Sequence, residues 1–176
     1  MSLHKDPELK EAVLSLPAKE KDKLLVRLIG KDKMLIKQLH FQLLEDETDL
    51  EERIERLRER LKQALDPKFS GIRNEGTYSN YKALMVLLRN SSGLINEHEK
   101  VTKDKLSEVE FRLFILAEAF RRYPVLFERN FLLAADKLHL YISGRKKITL
   151  AKYDKLHEDY QFDLREDWAL IKELPF

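Results

Sequence analysis

Apolar residues recur at every third or fourth position along the segment Thr48–Leu65, and this spacing places them on one side of an α-helix. The stripe consists of Leu50, Ile54, Leu57, Leu61 and Ala64. Thr48 followed by Glu51 has the spacing of a capping box, which predicts a helix that begins at Thr48. A stripe of about two heptads is short for a dimeric coiled coil, so the pattern favours a helix packed within its own domain.

The chain as a whole is poor in residues that form turns. Its 176 residues include five glycines and five prolines, and 36% of them are charged. Extended all-β folds need many turns, whereas long helices with solvated faces need few. The sequence therefore predicts an all-α fold, either a multi-helix bundle or a short array of stacked α-hairpins, with about seven to nine helices.

The periodic pattern breaks in the segment 66–79, which contains Pro67, Gly71 and Gly76. We interpret this segment as a loop or hinge between an N-terminal small-helix unit, 1–65, and a C-terminal helical bundle, 80–176. One continuous domain is the alternative.

Three further features predict helix boundaries in the C-terminal part. The sequence from Asn90 to Gly93 indicates a kink or break, Pro124 indicates a helix start, and Gly144 indicates a helix end. The helix after Pro124 is expected to bury a stripe of Phe127, Phe131, Ala134, Leu138 and Tyr141.

The overall charge does not indicate a particular partner. Lysine and arginine number 33 against 31 acidic residues, a net charge of +2, which is too small to attract nucleic acid or an anionic membrane without a local patch. The chain has no cysteine, no apolar signal segment at its N-terminus and no apolar run long enough to cross a membrane. We therefore expect a cytoplasmic protein without a membrane partner.

The segment Asn96–Lys105, NEHEKVTKDK, is the densest group of ionisable residues. Glu97, His98 and Lys103 are the catalytic candidates, since a histidine at the rim of a pocket can act as a general base. The interpretation that we favour is structural, with His98 near the end of one helix and Thr102 capping the next.

The most basic segment is Lys19–Lys37, which contains seven lysine or arginine residues and three acidic ones, a net charge of +4. Lys19, Lys23 and Arg27 are its binding candidates for a phosphate backbone or a partner protein. Lysines at alternate positions point around a helix, however, and this favours a solvated face.

Arg129, Asp136 and His139 form a third group of candidates. Asp136 and His139 are three residues apart, and all three residues are expected on a helix face away from the apolar stripe. If they are buried, they could line a groove.

Cofactor motifs are absent from the sequence. It contains no glycine-rich nucleotide-binding motif, and Asp154 with His157, three residues apart on one predicted helix face, is half of a di-metal motif without its partner half. We expect no metal and no cofactor.

Three functional hypotheses follow. The leading one is a protein-protein interaction or scaffold module, because long charged helices occur without a recognisable catalytic group. The alternatives are a nucleic-acid-associated protein that uses Lys19–Lys37, and an enzyme of unrecognised type centred on Asn96–Lys105. An enzyme is the least favoured of the three, and a homo-oligomer stays open.

Overall fold

The computed structural model describes residues 5–175, and within them the chain is all-α, as predicted, without any β-strand. Eight of its ten helices have seven or more residues. The helices are α1 (Pro7–Ser15), α2 (Ala18–Ile29), α3 (Lys33–Leu44), α4 (Glu47–Leu65), α5 (Pro67–Ser70), α6 (Tyr78–Thr102), α7 (Lys105–Arg122), α8 (Leu133–Tyr153), α9 (Glu158–Asp163) and α10 (Arg165–Lys172). None of these helices is long and apolar enough to cross a lipid bilayer.

The chain divides into two compact units, of which the first ends at Glu45 and the second begins at Asp46. The predicted hinge, 66–79, therefore lies inside the second unit. It contains the short helix α5, which Asp66 caps through the backbone N–H of Lys68 and which ends at Gly71 with a left-handed φ of 65°. Glycine suits this position because it lacks the Cβ that makes positive φ costly.

The first unit consists of α1, α2 and α3. Asp6 accepts a hydrogen bond from the backbone N–H of Leu9, and Asp32 accepts from those of Met34 and Leu35, so both side chains cap helices. α2 contacts α3. None of the described residues of this unit is buried.

The second unit is built around α6, α7 and α8, with α4 and α10 packed against them. Its core contains large side chains with no more than 1% of their surface exposed, among them Tyr81, Leu88, Phe111 and Leu116. α4 contributes Leu61 and Leu65, both fully buried. The apolar stripe of α4 is thus packed within the second unit.

α4 begins earlier than the capping-box spacing predicts. Asp46, not Thr48, is the N-cap, since its carboxylate accepts hydrogen bonds from the backbone N–H groups of Thr48 and Asp49. Asp49 in turn accepts from the backbone N–H of Asp46 at 3.1 Å. This reciprocal pair satisfies N–H groups that the first turn leaves without helical partners, and the helix begins at Glu47.

The predicted break between Asn90 and Gly93 is wrong, because α6 runs for 25 residues without interruption. Ser91 and Ser92 are both buried. The Ser92 hydroxyl lies 3.1 Å from the hydroxyl of Tyr141 in α8. This contact joins α6 to α8, and we attribute the unbroken helix to such packing, which outweighs the weak helix propensity of the serines.

Pro124 starts a helix as predicted, although a much shorter one than the apolar stripe indicates, and the prediction for Gly144 is wrong. Pro124 starts a single 3₁₀ turn, Pro124–Phe127, and the next helix, α8, begins only at Leu133. Phe131 consequently lies in the loop and is fully exposed instead of buried. Gly144 does not end α8, which continues to Tyr153.

Candidate functional site

The segment Asn96–Lys105 spans the junction of α6 and α7. Lys103 ends α6 in a left-handed conformation with φ of 60°, and Asp104 caps α7 by accepting from the backbone N–H of Leu106. The prediction that Thr102 caps α7 is wrong, because Thr102 belongs to the last turn of α6 and donates its hydroxyl to the carbonyl of His98 at 2.9 Å.

His98 lies in the interface between α6 and α7. Its Nε2 is 2.8 Å from the hydroxyl of Ser107, and its ring meets that of Phe111 edge to face. Burial lowers the pKa of His98, against the opposite effect of the Asp104 carboxylate, because a charged imidazole loses hydration in this interface. His98 thus joins two helices as a neutral side chain.

The three catalytic candidates lie in different environments. His98 is buried and Lys103 is exposed, while Glu97 is partly buried on another side of α6. The structure does not bring them to one cavity. Their catalytic roles stay a prediction.

Arg129, Asp136 and His139 line one cavity of about 850 Å³. The prediction that Arg129 lies on the same helix is wrong, because this residue lies in the loop before α8. His139 Nε2 is 2.8 Å from the carbonyl oxygen of Leu126 and therefore donates to it. Phe131, fully exposed, stands at this cavity. Arg129 and Asp136 are exposed, however, and His139 is only partly buried, so the burial on which the predicted groove depended is not met. Their binding role stays a prediction.

Tyr81 packs edge to face on His139 with ring centroids 6.1 Å apart. Its hydroxyl is buried and has no hydrogen-bond partner among the described residues. Burial raises the pKa of Tyr81, so this phenol stays protonated.

The basic segment Lys19–Lys37 lies in α2, α3 and the turn between them. Lys19, Lys23 and Arg27 are exposed, as are the other four cations of the segment. The same two helices also expose large apolar side chains.

Large apolar side chains protrude from all three helices of the first unit. Eight of them expose between 43% and 73% of their surface. They are Leu9, Leu14, Leu25, Val26, Leu28, Ile36, Leu43 and Leu44. We call these eight residues the apolar surface of the first unit. Its members follow helical spacing in part, with Leu25 and Leu28 three residues apart and Ile36 and Leu43 seven apart.

A buried ion cluster in the second unit was not predicted. The Glu108 side chain is only 2% exposed, and Arg112 in the next turn donates to it at 3.0 Å from Nε and 2.8 Å from Nη2. Lys152 of α8 donates at 2.8 Å. Arg112 Nη2 also donates to Asn96 Oδ1 of α6 at 2.6 Å. The cluster thus ties together α6, α7 and α8.

The carboxylate at the centre of this cluster stays charged. Burial by itself raises the pKa of Glu108, but hydrogen bonds from Lys152 and Arg112 outweigh it and hold the pKa below its usual value. The spacing of Glu108 and Arg112, four residues apart on one face of α7, is the signal that could have revealed the pair. Lys152 belongs to α8 and is 44 residues from Glu108, so no local spacing indicates its place in the cluster.

The suspected half of a metal motif is not formed. Asp154 ends α8, whereas His157 caps α9 by accepting from the backbone N–H of Asp159, so the two do not share a helix face. Among residues 5–175, no group of three histidine or acidic side chains could hold a metal ion. His4 lies outside the described residues.

Comparison of the chain with protein-family models, curated proteins and solved structures finds no match.

Proposed function

We propose that this protein is a protein-protein interaction module, and that its first unit docks an acidic amphipathic helix of a partner protein. The observation that carries this proposal is the apolar surface of the first unit. A stretch of about 40 residues rarely buries enough of its own surface to be stable without help. None of the described residues 5–45 is buried.

Exposed apolar side chains in this number suggest a surface that is covered when the protein works. Soluble monomers rarely expose large contiguous apolar areas, and those they expose are often binding sites. Leu25 and Leu28 of α2 and Ile36 of α3 belong to two helices that contact each other. Such a helix pair suits a third helix whose apolar stripe has the same spacing.

The charge around this surface favours an acidic partner. Lys19, Lys23 and Arg27 are exposed in α2, within a segment whose cations exceed its acids by four. Complementary charge speeds the encounter between partners and helps to select the correct one. We place this interaction in the cytoplasm, since a chain without cysteine suits a reducing compartment.

A nucleic acid is the competing partner for the same cations. Lys19, Lys21 and Lys23 alternate along the first turns of α2 and thus point in different directions around the helix. A phosphate backbone offers no apolar surface to cover Leu25 or Leu28. We therefore favour the protein partner and include nucleic acid in the test.

The test measures fluorescence anisotropy of a labelled helical peptide that has leucines at positions i, i+3, i+4 and i+7 and glutamates elsewhere. We expect saturable binding that weakens with salt and is lost in the double substitution Leu25→Asp, Leu28→Asp. Leu140→Asp is the matched control, because Leu140 is 77% exposed on α8 of the second unit. It should bind as the unsubstituted protein does.

Three results would overturn the proposal. One is equal binding of a peptide with lysines in place of the glutamates. Another is tighter binding of labelled RNA or DNA than of the acidic peptide at the same salt concentration. The third is a light-scattering mass of a stable dimer that becomes monomeric with the Leu25→Asp, Leu28→Asp substitutions, since a second copy would then cover the surface.

A further inference from the structure

A cavity of about 630 Å³ lies in the second unit between α4, the segment 70–72 and one face of α6. This volume is within the range of sites for small organic ligands. None of the residues that line the cavity belongs to the first unit. It is also separate from the cavity of Arg129, Asp136 and His139, with which it shares no lining residue.

The floor of this α4–α6 cavity is apolar. Ala83 and Leu87 lie one turn apart on α6, and Ala64 of α4 and Ile72 of the connecting segment complete the walls. Ala64 and Ala83 leave room because their side chains are single methyl groups. Val86, also in the lining, is 44% exposed, so an apolar ligand here would remove side-chain surface from water.

The two helices run in opposite directions along the cavity. Arg53 near the start of α4 lies close enough to His98 near the end of α6 to lower the pKa of that histidine. The backbone N–H of Arg73, after α4, donates to Asn80 at the start of α6. Arg60 is therefore level with the middle of α6 around Ser91, whereas Lys82 lies roughly 13 Å from Ser91 along the helix axis.

The Arg60 end of the cavity has polar groups without partners. Ser91 is only 2% exposed, lines the cavity, and makes no hydrogen bond with the described residues. Its neighbour Ser92 differs, since its hydroxyl contacts Tyr141. Arg60 makes no ion pair among the described residues either, and no acidic residue lines the cavity. A buried hydroxyl and an unpaired guanidinium in the lining of one cavity are donors that suit a carboxylate.

We propose that the α4–α6 cavity binds a monocarboxylate with a linear aliphatic chain. The carboxylate accepts hydrogen bonds from Arg60 and from the hydroxyl of Ser91. The chain lies along Leu87 and Ala83 towards Lys82, with Ala64 and Ile72 on its other side. Lys82 stands at the far end and does not contact the carboxylate.

The experiment is isothermal titration calorimetry of the full chain with sodium hexanoate, octanoate and decanoate, and with 1-octanol as the uncharged counterpart. We expect the dissociation constant to fall about threefold to fourfold with each added methylene that is buried. Octanoate should bind about tenfold more tightly than 1-octanol, because only the anion pairs with Arg60.

Variants locate the ligand within the cavity. Arg60→Gln and Ser91→Ala should each weaken decanoate binding about fivefold to tenfold. Lys82→Gln is the matched control, since it removes a cation from the same cavity at the opposite end, and it should change binding less than twofold. Ala83→Leu fills the floor and should abolish binding, with circular dichroism as the check that this variant is folded.

Several outcomes would overturn this assignment. They are the absence of saturable binding at millimolar decanoate, equal affinity for octanoate and 1-octanol, and an Arg60→Gln variant that binds normally. A Lys82→Gln variant that loses as much affinity as Arg60→Gln would show that the carboxylate is not bound specifically at the Arg60 end of the cavity. Arg60 is exposed, so its substitution tests the proposal even if Ala83→Leu does not fold.

Discussion

The two units use similar leucine-rich helices in opposite ways. In the second unit the leucines of α4, α6 and α7 meet in one core, where Leu61, Leu88 and Leu116 are at most 1% exposed. In the first unit the corresponding residues face outwards, as Leu25 and Leu28 show. The helical pattern is therefore sufficient to form helices in both units, but among the described residues a buried core that stabilises them is found only in the second unit.

The difference also extends to charge. The second unit buries an ion cluster around Glu108, whereas the cations of the segment Lys19–Lys37 are all exposed. Buried charges need every partner in place, and exposed charges tolerate substitution. We therefore expect substitutions of buried charges and buried leucines in the second unit to lower the free energy of unfolding much more than substitutions of exposed residues in the first unit.

The largest effect is expected from Arg112→Met. This substitution removes the buried cation beside Glu108 and leaves the partly exposed Lys152 at 2.8 Å and the exposed Lys105 at 4.0 Å. We expect a loss of about 4 kcal/mol in the free energy of unfolding. Urea denaturation followed by the fluorescence of Trp168 measures it. This single tryptophan stacks on Tyr153 in the second unit.

Two further variants test the cause. Arg121→Met removes the exposed pair with Asp167 and should cost less than about 1 kcal/mol. The double substitution Glu108→Leu, Arg112→Met should recover most of the loss, because it leaves no buried carboxylate. Equal losses for Arg112→Met and Arg121→Met would show that the cluster is not desolvated.

The next largest effect is expected from Leu116→Ala, which empties space in the core of the second unit and should cost about 3 kcal/mol. Leu25→Ala in α2 is its counterpart in the first unit and should change the free energy of unfolding by about 0.5 kcal/mol or less. Far-ultraviolet circular dichroism in urea reports on both units. The comparison fails if the two substitutions cost the same, since the first unit would then have a core of its own.

The smallest effect is expected from pH, and it arises at His98. Because burial lowers the pKa of this histidine in the folded protein, the unfolded chain takes up a proton at higher pH than the folded chain does. The stability that depends on neutral His98 is therefore complete above the unfolded value of about 6.5 and decreases as the pH falls from there towards the folded pKa.

The variant His98→Gln should remove this loss in the mildly acidic range while it keeps a contact to Ser107. A second loss should persist in the variant. Glu108 has a lowered pKa, so its contribution is present above the unfolded value of 4.5 and is lost as the pH falls through the folded value. Denaturation curves between neutral and acidic pH measure both losses of stability. The unsubstituted protein should lose stability in two separate pH ranges, and His98→Gln should lose it only in the lower one. Identical curves for the two proteins would contradict the role of His98.

Local patterns in the sequence predict the helices well where the pattern is unbroken. The stripe of α4 follows from spacing alone. The pattern fails at the 90–93 segment and at Gly144, because small residues weaken a helix by only about 1 kcal/mol and packing between α6 and α8 exceeds that. Such packing depends on residues distant in the sequence.

The dependence of packing on residues distant in the sequence also limits the prediction of sites. Helical spacing predicts that Asp136 and His139 lie together, and they do line one cavity. Arg129 joins them through a loop whose course the sequence does not determine. Glu108 and Lys152, by contrast, are 44 residues apart, and nothing local in the sequence connects them.

The unbroken course of α6 has a mechanical consequence. At 1.5 Å per residue, its 25 residues form a rod of roughly 37 Å. One stretch of this rod forms the floor of the α4–α6 cavity, and Asn96, further along it, contacts Arg112 of the ion cluster. A joint at Gly93 would have let the two stretches move separately. Without a joint, a displacement imposed at the cavity is transmitted along the rod to the helix crossing at Asn96.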